Sequence, residues 1–297
     1  MSVGKRLIIT NYEMGHFLRT KCPLIGQNRS PIATVITLYP NVTSFDMKIQ
    51  TSELLAEIQK AVKNTILTKK FGIAFSGGVD SSLLAKICSD LGYNITLLTI
   101  GFSDSHDIVF SKKISKLLDL HHKTLEITLD TFDDISNKIK QKINTDNLSW
   151  NENCIAFYYV SKLAKSLDLD TVVTANGIDE LFCGYNGYRD AIKEGNDQVI
   201  ELMNKKIENE LKMMKAVNGV SSEFNVKIIQ PFLNQDFINY AKKIPVSEKI
   251  KDSDDLIRKH IVRKLALEIG VPEESANKRK KALQYGSQIH KALVKSR

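Results

Sequence analysis

The segment "KKFGIAFSGGVDSSLLAKICSDLGYNITLLTI", Lys69 to Ile100, decides the fold. Its apolar run Phe71–Phe75 stops abruptly at Ser76-Gly77-Gly78. Asp80, Ser81 and Ser82 follow, and then Leu83, Leu84, Ile87 and Leu91 recur at helical spacing. A short continuous apolar run reads as a parallel strand buried on both faces, and the stripe behind it as a helix packed on that strand. "NITLLTI" then reads as a second strand, "DIVFSKKISKLLDL" as a helix and "KTLEITL" as a third strand. A helix over 131–143, a helix in "ENCIAFYYVSKLAKSL" and a fourth strand in "TVVTA" complete the series. The alternation predicts an α/β fold, a doubly wound parallel sheet.

Outward from this core the pattern changes. Upstream, "SELLAEIQKAVKNTIL" carries Leu54, Leu55, Ile58, Val62 and Ile66 on one stripe, a helix with Ser52 as its N-cap. Residues 1–50 hold short β-prone pieces, "KRLIITNY", "HFLRTK" and "IATVITLYP", and read as a short β-rich N-terminal extension. Beyond Asp179 strand signals nearly vanish. The expected organisation is therefore an extension over 1–50 and one domain over 51–297. That domain divides into an α/β core over 51–180 and a mostly helical part over 181–297.

Composition sets the bounds. With 297 residues and 42% hydrophobic, the chain can bury a sizeable core. No apolar run reaches the length of a membrane span, and Asn11 and Glu13 cut the first apolar stretch too short for a signal peptide. The cytoplasm is the expected compartment. The four cysteines, Cys22, Cys88, Cys154 and Cys183, form no close pair and read as buried thiols. The net charge of 42 − 34 = +8 favours anionic partners, nucleotide phosphates or RNA, although solvated lysine faces account for much of it equally well. It is densest in "NKRKKALQYGSQIHKALVKSR".

The glycine turn carries the chemistry. Ligands of an open parallel sheet bind outside the carboxyl ends of its strands, where Ser76–Ser82 sits. Gly77 and Gly78 let backbone N–H groups approach an anion, and the following helix points its positive end at the same place. Ser76, Ser81 and Ser82 can donate to phosphate oxygens, and Asp80 suits Mg²⁺ held beside them. The alternative is a plain strand-to-helix turn capped by Asp80 or Ser81. Five fixed positions, S-G-G-x-D-S, arise by chance on the order of 10⁻⁴ to 10⁻³ times in a chain of this length. The spacing differs from both GxxxxGK[ST] and GxGxxG.

S-G-G-x-D-S resembles the PP-loop of the N-type ATP pyrophosphatases, an adenine nucleotide alpha hydrolase-like fold. Further stretches resemble the asparagine synthetase branch. "TVVTANGIDELFCGYNGY" is similar to its SGxGxDExFGGY, and "KIIQPFLNQDFINYAKKIPVSEKI" to its PFLD…IP…K. "RKHIVRKLA" is similar to the helix that follows, and "NKRKKALQYG" to the closing R-x-K-x(4)-G. The resemblance implies an ATP-dependent ligase that adenylates a carboxylate, releases pyrophosphate and transfers ammonia or an amine. ATP and Mg²⁺ are the implied cofactors. Phe75, Ile100, Thr174, Ala175 and Gly177 would hold the nucleotide beside the loop, Asp179 would share Mg²⁺ with Asp80, and Lys280 would neutralise charge on the α- or β-phosphate. Lys259 and Arg263, four apart, are either an anion-binding pair or part of a solvated face. Trp150 and Phe157-Tyr158-Tyr159 are assigned to the core, and His106 to a polar loop.

Three departures from that pattern matter. Met1 is followed by Ser2 rather than a cysteine nucleophile, and about fifty residues are too few for a glutaminase domain, so free ammonia, another amine or a separate glutaminase is the expected nitrogen source. Asn176 stands where a carboxylate usually could take a proton from the attacking amine. "NLSWNENC" lacks a basic residue for aspartate, which leaves aspartate one candidate among carboxylates. Cys183 replaces a usual glycine. Two other readings stay open: a tRNA-modifying PP-loop enzyme, suggested by the basic C-terminus, and an ATP-binding protein without catalysis, suggested by Asn176.

Overall fold

In the computed structural model, residues 44–295 are described, and the expected β-rich extension falls outside them except for its last seven positions. Those positions already belong to helix α1, Ser44–Thr65, so Ser52 lies inside the helix and is not its N-cap. Leu54, Ile58 and Val62 from the expected stripe are buried.

The elements then alternate as expected: β1 (Lys70–Ala74), α2 (Val79–Asp90), β2 (Asn94–Phe102), α3 (His106–Leu117), β3 (His122–Ile127), α4 (Leu129–Ile143), α5 (Leu148–Ser166) and β4 (Thr171–Val173). After β4 come α6 (Ile178–Leu181), α7 (Gly187–Glu194), the long α8 (Asn196–Ser221) and a fifth strand, β5 (Lys227–Ile229). The rest is helical: α9 (Gln235–Lys243), α10 (His260–Glu268), α11 (Glu273–Ala276), α12 (Leu283–Gly286) and α13 (Ile289–Lys295). No helix among the described residues is long and apolar enough to cross a membrane.

All five strands are parallel, in the order β3-β2-β1-β4-β5. This is the doubly wound sheet. β5, in the stretch with almost no strand signal, adds its edge. Successive side chains of a strand point to opposite faces. Ile95 and Leu97 thus join one core with Phe71, Ile73 and the apolar faces of α1, α2 and α10. Leu98 and Ile100 join the other, with residues of α4, α5, α8 and α13. Burial on both faces is why these strands read as continuous apolar runs.

The chain leaves β1 toward β2 on one side and returns to β4 on the other. The strand order therefore reverses between β1 and β4, which pair through Ile73 and Val173. A crevice opens at the carboxyl ends of such a pair. Both the glycine turn after β1 and the Thr174–Gly177 turn after β4 empty into it.

Candidate functional site: a cleft at the switch point

The turn after β1 is built to leave donors open. Gly78 is the N-cap of α2, extended at φ −70°, ψ 162°, and no side chain caps the first turn. The N–H groups there await an acceptor from outside the helix. Ser76 Oγ and Ser81 Oγ lie 3.5 Å apart inside the turn, and Ser81 Oγ donates to the Gly78 carbonyl at 3.1 Å. Gly77 has φ +75°, a conformation that favours glycine, and a β-carbon there would press on Phe110.

Around this turn lies a cleft of about 270 Å³. It brings together Phe75, Ser76, Gly78, Asp80, Ser81, Ile100, Thr174, Ala175, Asn176, Asp179 and Lys280 from the sequence reading. Gly77, Ser82 and Gly177 do not line it. Ser82 is fully buried and, with the Gly77 carbonyl, receives Ser275 Oγ at 3.0 and 2.7 Å, which ties the C-terminal segment to the turn. Gly177, at φ +109°, lies against Phe232 and Leu233.

Charge is concentrated at one point. Lys259 Nζ lies 2.6 Å from both Asp80 Oδ2 and Asp179 Oδ1, and Lys280 Nζ pairs with Asp179 Oδ2. Burial alone would raise the Asp179 pKa, but the two ammonium groups outweigh it and hold the carboxyl well below its usual range. Burial likewise disfavours the Lys280 ammonium, yet Asp179 and Asp80 keep its pKa above the ordinary lysine value. A strict count of R-x-K-x(4)-G ends on Lys281; it is nevertheless Lys280 that reaches the acid pair. The lining also includes Lys278, Arg279 and Lys281, so a basic strip faces the glycine turn.

The reading of Lys259 and Arg263 as a solvated face does not hold, since both are buried. Arg258 and Lys259 both adopt left-handed backbone, φ 51° and 56°, immediately before α10. That bend costs of order 1–3 kcal/mol per residue and is kept where the surroundings over-determine it. Here Lys259 N–H donates to the Lys249 carbonyl at 2.6 Å, and Arg258 Nη2 to the Gly184 carbonyl at 3.0 Å. Arg263 spends its guanidinium on carbonyls, donating to Ile257 at 2.8 Å and Lys278 at 2.9 Å. It holds the basic strip in place rather than facing a ligand through its whole fork.

Gly184 closes the construction. A β-carbon there would overlap the Asp179 carboxylate and crowd Lys259 Cε. Gly184→Ala is expected to lower the midpoint of chemical denaturation, because the β-carbon would push apart the buried Asp179–Lys259 pair. An unchanged midpoint would show that the Asp179–Lys259 contact can yield freely. Cys183 before it has φ 60°, the region glycine prefers, so this chain bears a small strain that the usual glycine lacks.

Beneath the charges lie buried carboxyls. Glu180 receives Gly177 N–H at 3.1 Å and the Tyr185 hydroxyl, and burial followed by Asp179 raises its pKa. Asn176 Nδ2 donates to Glu210 Oε1 at 2.6 Å. Glu210, on α8, escaped the sequence reading. Leu98, Phe157, Val160 and Met213 make the cleft's apolar wall. His106 is no loop filler. It starts α3, lines the cleft, meets Lys278 Nζ through Nε2 at 2.5 Å and contacts Asp107 Oδ1 at 3.0 Å. Asp107 is pushed up to about 7 by burial, against the pull of Lys281 and Lys278, and its carboxyl fills the space a side chain at Gly286 would need. Cys88, Cys154 and Cys183 are buried free thiols, pushed up to about 12 by burial and thereby chemically quiet. Phe157 and Tyr159 are in the core, as expected.

The donor set suits a hard divalent ion. Asp80 Oδ1 is buried without a hydrogen-bond partner, next to the second carboxylate of Asp179. Among the described residues no group of three or more His, Cys, Asp or Glu surrounds a metal position. Two carboxylates are nevertheless what Mg²⁺ takes from a protein when phosphate oxygens and waters supply the rest.

Fold and site together define a doubly wound α/β protein with a densely charged cleft at its switch point. The family model Asparagine synthase matches residues 53–223 and 212–296. The chain belongs to the asparagine synthase family, which bears out the resemblance of its motifs. It is 26% identical over 274 residues to a Methanocaldococcus jannaschii protein provisionally named a glutamine-hydrolyzing asparagine synthetase, covering 80% of this chain and 50% of that one. It is 25% identical over 223 residues to asparagine synthetase [glutamine-hydrolyzing] 1 of Arabidopsis thaliana, covering 70% of this chain and 38% of that one. The chain thus spans half or less of these relatives. Among solved structures, NMN synthetase from Francisella tularensis aligns with a TM-score of 0.43 and 16% identity over 80% of this chain and 77% of that one.

Proposed function

We propose that this chain is an ATP-dependent carbon–nitrogen ligase that forms AMP and pyrophosphate. In this reading a substrate carboxylate attacks the α-phosphorus of ATP, and the bond to the bridging oxygen of pyrophosphate breaks. Pyrophosphate leaves into the turn of Ser76, Gly78 and Ser81 at the N-terminus of α2. Ammonia or an amine then displaces AMP from the acyl-adenylate to give an amide. Lys280 and Lys259 face the phosphates and stabilise the charge that develops on them. Phe75, Ile100, Thr174 and Ala175 flank the nucleoside. Asp80 and Asp179 would hold Mg²⁺, which when bound supplies charge neutralisation between the phosphate oxygens.

One observation carries the reading. Two ammonium groups and two carboxylates are locked together at an uncapped glycine turn that itself supplies one of the carboxylates, Asp80, at the carboxyl ends of the strands where ligands of such sheets bind. Membership of the asparagine synthase family supports the amide-forming chemistry, with aspartate as one candidate carboxylate. The test is pyrophosphate release from Mg-ATP over a panel of carboxylates, with and without ammonium. Release that requires a carboxylate and increases with ammonium is the expected result. Release that responds only to added RNA would favour the tRNA-modifying alternative, and ATP binding without any release would favour a protein that has lost catalysis.

A further inference from the structure

The aminating half of the proposed reaction needs an acceptor for the amine's proton, and Asn176 has none to offer. Its amide is also fully engaged. The Oδ1 atom accepts from Thr174 Oγ1 at 2.5 Å, and Nδ2 donates to Glu210 at 2.6 Å. Orientation is thereby fixed, with the N–H side toward the carboxylate. Glu210 is 5% exposed, and among the described residues no ion pair involves it. Keeping a carboxylate in the interior without a cation is costly, and a fold gains nothing in stability from it. Yet the carboxylate is not sealed off, because Glu210 lines the cleft together with Lys206, Asn209 and Met213, one face of α8. It stands on the same wall as Asn176, beside the acid pair and Lys280.

Resting on the ligase reading above, we propose that Glu210 is the group that takes the proton from the attacking amine, a role the turn after β4 has handed over by carrying asparagine. The step balances simply. The amine nitrogen's lone pair forms a bond to the acyl carbon of the adenylate. The bond from that carbon to the phosphate oxygen breaks, and AMP leaves with the electron pair. The surplus proton on nitrogen passes to the Glu210 carboxylate and from there to solvent. Asn176 is a positioning residue in this scheme, aiming the carboxylate by its Nδ2 hydrogen bond.

The pH response follows from the groups around Glu210. Asn176 faces it from the turn after β4, Asp179 and Glu180 from α6, Tyr185 from the loop behind α6, Lys280 from the basic strip, and Lys206 and Asn209 from its own helix. Burial, then Glu180, pushes the Glu210 carboxyl up to about 8, against the hydrogen bond from Asn176. A base works deprotonated, so amide formation should rise as pH passes through about 8.

The test compares two half-reactions on the full chain with Glu210→Gln, which keeps the side chain's length and its acceptor for Asn176. With a carboxylate alone, ATP–pyrophosphate exchange reports adenylation. With ammonium added, amide product reports amination. The expected result is an amination loss of at least 100-fold, an exchange loss of less than tenfold, and disappearance of the rising limb near pH 8. Amide formation within threefold of wild type, or equal losses in both half-reactions, overturns the assignment in favour of a purely structural Glu210. Absence of exchange in the wild-type protein itself, with every carboxylate tried, overturns the ligase reading first and this one with it.

Discussion

On the proposed ligase reading, Lys280→Met is expected to lower pyrophosphate release from Mg-ATP by about 10²–10³-fold, the range measured when one preorganised charge-stabilising donor is removed from an active site. The expectation rests on where the ammonium is held. Lys280 pairs with Asp179, sits 4.9 Å above the Tyr185 ring and is only partly accessible from the cleft. Burial opposes its charge, but Asp179 and Asp80 raise its pKa above the ordinary lysine value, so it is held as an ammonium at neutral pH. Methionine preserves the stem and removes the charge, so ATP binding through the glycine turn should fall less than tenfold while turnover collapses. The change is read as kcat against KM for ATP. A loss confined to KM would assign Lys280 to uniform binding rather than to the developing charge. A loss of less than threefold in kcat/KM would remove it from the machinery. Lys281→Met serves as the comparison, because a strict motif count favours that lysine while the ion pair with Asp179 is made by Lys280.

Much of the architecture was legible because the signals are local. β1, β2 and their crossover α2 are contiguous and bounded by glycine or turn residues, and S-G-G-x-D-S announces itself within six positions. β5 was not legible. It is three residues long, ends before Pro231, and becomes a strand only by pairing with β4 through Val172 and Ile228. The helix start at Ser44 was missed because "SFDMKIQ" carries a weak apolar stripe. The site divides in the same way. Its turns could be read, whereas the distant partners could not, since nothing local ties Lys259 to Asp80 179 residues away. Glu210 left a signal that a finer reading would use. In "NKKIENELKMMK" it looks like one more solvated acid, yet Met203, Ile207, Glu210, Met214 and Val217 follow one buried stripe at spacings of four and three. A carboxylate in phase with a core stripe is out of place unless something functional keeps it there.

Asp179→Asn is expected to destabilise the protein by about 3–5 kcal/mol, the range for removing one partner of a buried ion pair. The reason is the charge left behind. Lys259 is almost completely buried and would keep only Asp80, while Lys280 would lose its direct partner and keep only the weaker pull of Asp80. An uncompensated ammonium in the interior costs more than the pair ever contributed, because the desolvation remains while the attraction is gone. A double-mutant cycle separates this mechanism from a simple packing defect. Adding Lys280→Met to Asp179→Asn should recover at least about 1 kcal/mol, since it removes one of the two stranded charges. Strict additivity in chemical denaturation would show that the stranded lysines reach water after all. The pH dependence gives an independent check. A carboxyl whose folded pKa is depressed contributes stability that is complete above its unfolded value, about 3.9, and that drains away as pH falls toward the folded value. Asp179 is depressed well below that unfolded value by its two lysines. Wild type should therefore lose stability steadily as pH falls below about 4, and Asp179→Asn should lack this part of the slope, so that the two denaturation midpoints converge in acid. Asp179 is also one of the two carboxylates proposed to hold Mg²⁺. Hence saturating Mg-ATP should raise the denaturation midpoint of wild type markedly and that of Asp179→Asn by much less, because a ligand stabilises only the state it binds.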